Sequence, residues 1–203
     1  MATVRARLPP RFQKADLKHL DPELFEFIFD YRAHLLQRVK DGEGLVLSGP
    51  PGVGKTYAAA ALTMEYAKRT TKQGSWHFET VPDILDKYRA MGGTAGRDEF
   101  RDQSWDQTYH NVRWLVLNDM GKEYRAGKML AQQVSKLGTL IRHRAEQKLV
   151  TIITTNLPLE TPEFGGETFA GVYGDSVWSL LHECTQGYVV WGEDRRKREV
   201  TEV

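Results

Sequence analysis

Apolar positions along this chain change their period segment by segment. From Leu24 onward, Phe27, Ile28, Tyr31, Leu35, Leu36 and Val39 recur at helical spacing, which predicts one amphipathic helix. Asp21-Pro22-Glu23 reads as its start, with proline in the first turn and acids near the positive dipole end; Asp41-Gly42 closes it. The unbroken apolar run Leu45-Val46-Leu47 predicts a buried strand leading into a glycine loop, and an alanine-rich helix follows over Lys55 to Arg69. Trp76-His77-Phe78-Glu79 predicts a second strand, Asp83 to Ala90 a helix, and Gly92 to Gly96 a loop. A polar helix or turn then runs to about Tyr109.

The same alternation continues to the end. Trp114-Leu115-Val116-Leu117 predicts a third strand ending in Asn118-Asp119, and Leu130 to Gln147 a helix with Val134, Leu137 and Ile141 inward. Leu149 to Thr154 predicts a fourth strand ending in Thr155-Asn156, Val177 to Cys184 a helix, and Tyr188-Val189-Val190-Trp191 a fifth strand. Short, nearly continuous apolar strands alternating with helices predict an α/β fold: a parallel five-stranded sheet with helices on both faces.

Composition narrows the class. At 203 residues the chain suits one domain, and 40% hydrophobic with 27% charged residues is the balance of a folded, water-soluble protein. A formal net charge of +1 supplies no global basic field, so any nucleic-acid contact has to come from a local patch. The single cysteine, Cys184, excludes an intramolecular disulfide and fits a reducing compartment, as a small apolar side chain rather than a nucleophile. Basic residues near Met1 have no apolar run behind them, and no stretch is long and apolar enough for a membrane helix. The expectation is a cytoplasmic protein with no membrane contact. Residues 1–20 read as a flexible basic arm, 21–197 as the folded domain and 198–203 as a tail.

The chemistry concentrates at one loop. Gly49-Pro50-Pro51-Gly52-Val53-Gly54-Lys55-Thr56 fits G-x-x-x-x-G-K-[ST] between a predicted strand and a predicted helix. Its glycines allow successive backbone N–H groups to converge on one anion-sized hollow, and the following helix adds its positive end. In such a loop Lys55 reaches the β- and γ-phosphates of a nucleoside triphosphate, and the Thr56 hydroxyl binds Mg²⁺. The segment from Gly49 to Tyr57 is therefore the predicted ATP/ADP site. At the end of the third strand, Asp119 is the candidate for polarising the attacking water, with Asn118 and Asp119 as candidate Mg²⁺ ligands beside Thr56. Asn156, at the end of the fourth strand, is placed to contact the γ-phosphate or water, since open α/β sheets bind ligands at the carboxyl ends of their strands.

With those elements in order, the chain resembles the AAA+ ATPases of the DnaC-like helicase-loader group and the related IstB-like transposition helpers. The resemblance rests on Arg11-Phe12 with Ala15-Asp16-Leu17, the loop Gly49 to Thr56, and Leu115-Val116-Leu117-Asn118-Asp119-Met120-Gly121-Lys122-Glu123. Leu140-Ile141-Arg142-His143-Arg144, Thr151-Ile152-Ile153-Thr154-Thr155-Asn156-Leu157 and Gly192-Glu193-Asp194-Arg195-Arg196 extend it. It implies a P-loop NTPase of AAA+ core type that binds and hydrolyses ATP (slowly in this chain, given its departures from the family pattern), partners a DnaB-like replicative helicase, contacts single-stranded DNA and self-associates.

The chain also departs from that pattern. The family usually has two acids where Asn118-Asp119 stands, and it often has arginines where Ser176 and Leu180 stand. Arg142, Arg144, Arg195 and Arg196 are the available substitutes. Loaders commonly carry a further N-terminal domain, so the short segment here resembles a minimal phage or mobile-element form. For DNA, the resemblance points to the region holding Lys87, Arg89, Arg97, Arg101, Trp105 and Tyr109, diluted by Asp98, Glu99, Asp102 and Asp106. The basic residues Arg5, Arg7, Arg11 and Lys14 are a second candidate contact. Competing readings are a transposition helper on duplex DNA, a nucleotide-gated binding protein without hydrolysis, and a small-molecule kinase.

Overall fold

A computed structural model describes residues 7–70, 76–90, 106–122, 131–161 and 166–195. Two helices, α1 (Pro22–Ala33) and α2 (Leu35–Asp41), precede strand β1 (Gly44–Ser48) and helix α3 (Lys55–Arg69). Next come β2 (Trp76–Thr80), α4 (Val81–Ala90), β3 (Trp114–Met120) and α5 (Ala131–Glu146). The chain closes with β4 (Val150–Thr155), α6 (Phe169–Tyr173), α7 (Asp175–Cys184) and β5 (Thr185–Val189). The strands form one sheet in the order β2-β3-β4-β1-β5, and each neighbouring pair is parallel.

Period-two alternation sends each strand's side chains into two separate cores. Leu45, Leu47, Val116 and Ile152 face one core with Ile28, Tyr31 and the alanines of α3. Val46, Leu115, Leu117 and Ile153 face the other, with Ile84, Leu137, Ile141 and Leu181 from the later helices. The predicted parallel sheet covered on both faces is therefore the observed one.

Several boundaries move for identifiable reasons. The single helix expected over 24–39 is two, broken at His34, yet Leu24, Ile28, Tyr31, Leu35 and Val39 keep one buried stripe. Leu36 is not part of that stripe and is 54% exposed. Helix α4 begins before Asp83 because the Thr80 hydroxyl accepts from Asp83 N at 3.2 Å and donates to its carboxylate at 2.5 Å, a side-chain cap. Strand β5 begins at Thr185 rather than Tyr188, since its register is set by β1, with Gly44 opposite Thr185 and Ser48 opposite Val189.

The described part of the expected arm packs onto the body. Leu8, Leu17 and Leu20 are buried in the first core, and Arg7 donates to Trp76 O at 2.6 Å while lying over that indole. Two short 3₁₀ turns, Pro10–Phe12 and Leu17–His19, shape this segment. Three apolar anchors at irregular spacing explain why no helical or strand period reveals the contact in the sequence. Among the described residues no helix is long and apolar enough to cross a membrane.

Candidate functional site

The carboxyl ends of β3, β4 and β1 lie side by side, and hydroxyl groups tie them together. The Ser48 hydroxyl donates to Leu157 O at 2.8 Å, and the Thr155 hydroxyl donates to Met120 O at 2.7 Å. The Thr154 hydroxyl donates to Asn118 Oδ1 at 2.8 Å and accepts from Asp119 N at 2.9 Å. All three hydroxyl residues are buried. Each cross-link joins the end of one strand to a neighbouring chain segment, so the site residues sit on a braced edge.

From that edge the glycine loop rises between β1 and α3. Gly49, Gly52 and Gly54 have φ of 142°, 89° and 102°, conformations that side-chain-bearing residues rarely adopt. Val53 points the other way and is buried in the core, which pins the loop from below. A cleft of about 660 Å³ opens above it, with Pro51, Gly52, Gly54, Lys55, Thr56 and Tyr57 on one side. Asn118 and Asp119 from β3 and Asn156 from the end of β4 line the same cleft, so residues from two strand ends converge on the loop.

The Lys55 ammonium donates to Gly49 O at 2.8 Å, Pro50 O at 2.7 Å and Asn156 Oδ1 at 2.9 Å, and the residue is only 5% exposed. Asn156 is thus placed against Lys55 by the first turn after β4. Asp119 occupies a left-handed conformation, φ 60°, at an irregularity in the β3–β4 register between Leu117 and Met120. That twist turns its carboxylate out of the strand, where Lys122 Nζ pairs with it at 2.5 Å. Asn118 stays buried at 3% exposure.

Three participants were not among the residues predicted from the sequence. Thr154 holds both Asn118 and Asp119, yet reads in sequence as an ordinary strand residue. Lys122, within the Asn118-to-Glu123 stretch, pairs with Asp119. The third is the N-terminal segment, expected only as a basic arm with Arg11 as a candidate DNA contact, whose Pro9, Arg11, Phe12, His19 and Leu20 line the far wall of the cleft. Tyr57 joins the two walls: its hydroxyl accepts from Asp16 N at 3.1 Å and lies 3.2 Å from His19 Nδ1.

Other expectations change on contact with the structure. Arg144 cannot stand in for a mobile arginine. It is fully buried and donates to Thr151 Oγ1, Tyr109 O, His110 O, Val112 O and Val150 O at 2.6–3.2 Å. Burial, with Arg113 nearby, pushes its guanidinium down to about 9. Tyr109 is not available for base stacking: it is 3% exposed, and its hydroxyl donates to Glu79 at 2.8 Å. Lys87 pairs with Glu79 and Arg89 with Asp86, while Arg97, Arg101, Trp105 and Arg5 lie outside the described residues. Arg142 and Ser176 are exposed, Leu180 is half-buried, and Cys184 is a half-buried free thiol pushed up by burial.

Comparison with known proteins bears on the family and the fold. A family model described as IstB-like ATP binding protein matches residues 29–202. The replicative helicase loader DnaI of Bacillus subtilis (strain 168) is 28% identical over 151 residues, covering 71% of this chain and 43% of that protein. An AAA ATPase forming ring-shaped complexes, from Corynebacterium glutamicum (strain R), is 39% identical over 75 residues, 36% of this chain and 12% of that protein. The chain thus spans less than half the length of these relatives.

Among solved structures, the DnaC helicase loader superposes with a TM-score of 0.70 at 22% identity, over 90% of this chain and 100% of that one. The replication initiator DnaA bound to AMPPCP and single-stranded DNA does so with a TM-score of 0.60 at 15% identity, over 92% and 51%. These likenesses show a shared P-loop AAA+ fold. Because the family model spans most of the chain, the protein belongs to the IstB-like ATP-binding family.

Proposed function

We propose that this protein is an ATP-switched AAA+ factor that loads or remodels a replicative helicase on single-stranded DNA, with slow ATP hydrolysis. The convergence of Lys55, Thr56, Asn118, Asp119 and Asn156 on one cleft carries the nucleotide half of this reading. The partner half rests on the similarity to the loader DnaI.

The donor set fits a triphosphate with Mg²⁺. Loop N–H groups and Lys55 supply the anion site, while the Thr56 hydroxyl and the oxygens of Asn118 or Asp119 supply hard ligands in the same cleft. Bound there, Mg²⁺ would neutralise charge on the phosphate oxygens. Lys55 turns from the Gly49 and Pro50 carbonyls to the phosphates, and Asn156 keeps the lysine aimed along the cleft. Asp119 orients and polarises water once Lys122 releases its carboxylate.

Slow turnover follows from what stands around these groups. There is one acid at the strand end, with Asn118 in place of a second. Ser176 and Leu180 occupy positions where related proteins often carry arginines, and Arg144 is locked in the core. An arginine supplied to a phosphoryl-transfer site contributes on the order of 10³-fold or more. ATP therefore acts chiefly as a conformational switch, with hydrolysis as its reset.

The test is binding of the purified chain to single-stranded DNA and to a DnaB-type hexamer, with ATPγS, with ADP and without nucleotide. Association that depends on ATPγS supports the loader reading, and none under any condition overturns it. The family's IstB-like character favours one rival. ATP-dependent assembly on duplex DNA, without effect on a helicase, would assign the chain to transposition instead.

A further inference from the structure

Arg195 lines two openings. The larger is the cleft that holds Lys55 and Thr56. The other, about 470 Å³, runs between the start of α1 and the end of β5. After β5 the chain turns back across the loop: Val190 N donates to Ser48 O at 2.7 Å, and Arg195 N donates to Gly52 O at 3.3 Å. Asp194 lies so close above Gly52 that a Cβ on that glycine would overlap its carboxylate. The Arg195 guanidinium then reaches the N-terminal segment, forming an ion pair with Asp21 and donating to His19 O at 3.4 Å.

Residues 190–195 thus bridge the glycine loop and the N-terminal wall of the cleft. We propose that the Arg195–Asp21 pair is a clasp that retains bound nucleotide by holding these two walls together. The inference rests on the nucleotide reading above. Lys55 and Thr56 mark the phosphate end of the cleft, and the same cleft includes Tyr57, His19 and Leu20, the side where the clasp closes. In this proposal, a nucleotide seated with its phosphates at Lys55 leaves past this side. Arg195 is a positioning residue: it acts through Gly52 and His19, and nothing in the proposal requires it to touch the phosphates.

Both partners are partly open to water, with side-chain exposures of 40% and 43%. An ion pair of that kind contributes modestly, so opening it accelerates nucleotide release roughly two- to fivefold. Salt narrows the difference, because it screens the pair in the wild type and leaves nothing to screen in the variants.

The experiment follows release of mant-ADP, chased with unlabelled ADP, from the full chain and from Arg195→Ala, Arg195→Lys, Asp21→Asn and Arg195→Ala/Asp21→Asn. Each single removal speeds release, the double variant is no faster than Arg195→Ala, and Arg195→Lys recovers part of the retention. Additive effects in the double variant, or unchanged release in both single variants, overturn the clasp while leaving the nucleotide site standing. Failure of the wild-type chain to bind mant-ADP at all overturns the nucleotide reading, and the clasp with it. Unfolding temperatures measured without nucleotide separate the clasp from general destabilisation: variants that release faster only in proportion to lost stability also overturn it.

Discussion

Thr154→Val isolates the atom on which the geometry of the strand end depends. The substitution keeps the branched shape and replaces the one hydroxyl that serves both Asn118 and Asp119. Thr154 has no solvent exposure, so water cannot take its place. Two polar groups lose their partner: the oxygen of Asn118, itself 3% exposed, and the backbone N–H of Asp119. At about 1–2 kcal/mol for each group left unsatisfied, folding stability falls by about 2–4 kcal/mol. That is a large share of the roughly 5–15 kcal/mol that holds a domain together.

The same bond braces Asp119 at φ 60°, a conformation that costs a non-glycine residue on the order of 1–2 kcal/mol. Released, Asp119 relaxes away from the cleft, and ATP turnover falls by about tenfold or more. Affinity for nucleotide without Mg²⁺ changes little, since the glycine loop and Lys55 are untouched. Urea unfolding followed by tryptophan fluorescence measures the first effect, and steady-state phosphate release at saturating ATP measures the second. Stability within about 0.5 kcal/mol of wild type, together with unchanged turnover, would refute the bracing role.

Other consequences are equally open to measurement. Arg144→Met strands five acceptors around the β3–β4 entry, four of them in buried contacts, and should cost about 3–5 kcal/mol in urea unfolding; Arg144→Lys should recover part of it. Burial raises the Glu79 carboxyl, but hydrogen bonds from His77, Lys87 and Tyr109 outweigh it and hold the group at about 2, below its ordinary 4.5. An unfolded carboxylate protonates near 4.5 and the folded one near 2, so this stabilisation is whole above 4.5 and is lost as pH falls toward 2. Glu79 should account for a stability drop on the order of 2 kcal/mol across that window, and Glu79→Gln should remove that share of the slope. Asn118→Asp supplies the second acid while keeping the oxygen that Thr154 donates to; phosphate-release assays should show several-fold faster turnover at a lower Mg²⁺ requirement.

The legible part of this protein is the part written in local pattern. Lys55–Arg69 was bounded correctly because a glycine loop and an alanine-rich run leave few alternatives. The approach of Asn118, Asp119 and Asn156 to the loop followed from the rule that parallel strands end on one side. What stayed hidden depends on contacts between distant segments. Arg144 looks like a surface charge beside Arg142, and only the fold reveals the ring of carbonyls that holds it. Tyr109 sits among charges that suggest an exposed face, yet Glu79, thirty residues earlier, binds its hydroxyl inside the protein. Leu8, Leu17 and Leu20 follow no period because they anchor irregular chain, and Arg195 and Asp21 are far apart in sequence and meet only through the fold.

The central claim is that the glycine loop and the neighbouring ends of β3 and β4 form a nucleotide site governed by Lys55. Isothermal titration of the purified chain with ATPγS in the presence of Mg²⁺, beside Lys55→Ala, tests it most directly. The account predicts saturable one-to-one binding by the wild type, with affinity reduced by about 1.4 kcal/mol or more, tenfold, in Lys55→Ala. Absence of binding by a folded wild-type chain, or equal binding by Lys55→Ala, would contradict it.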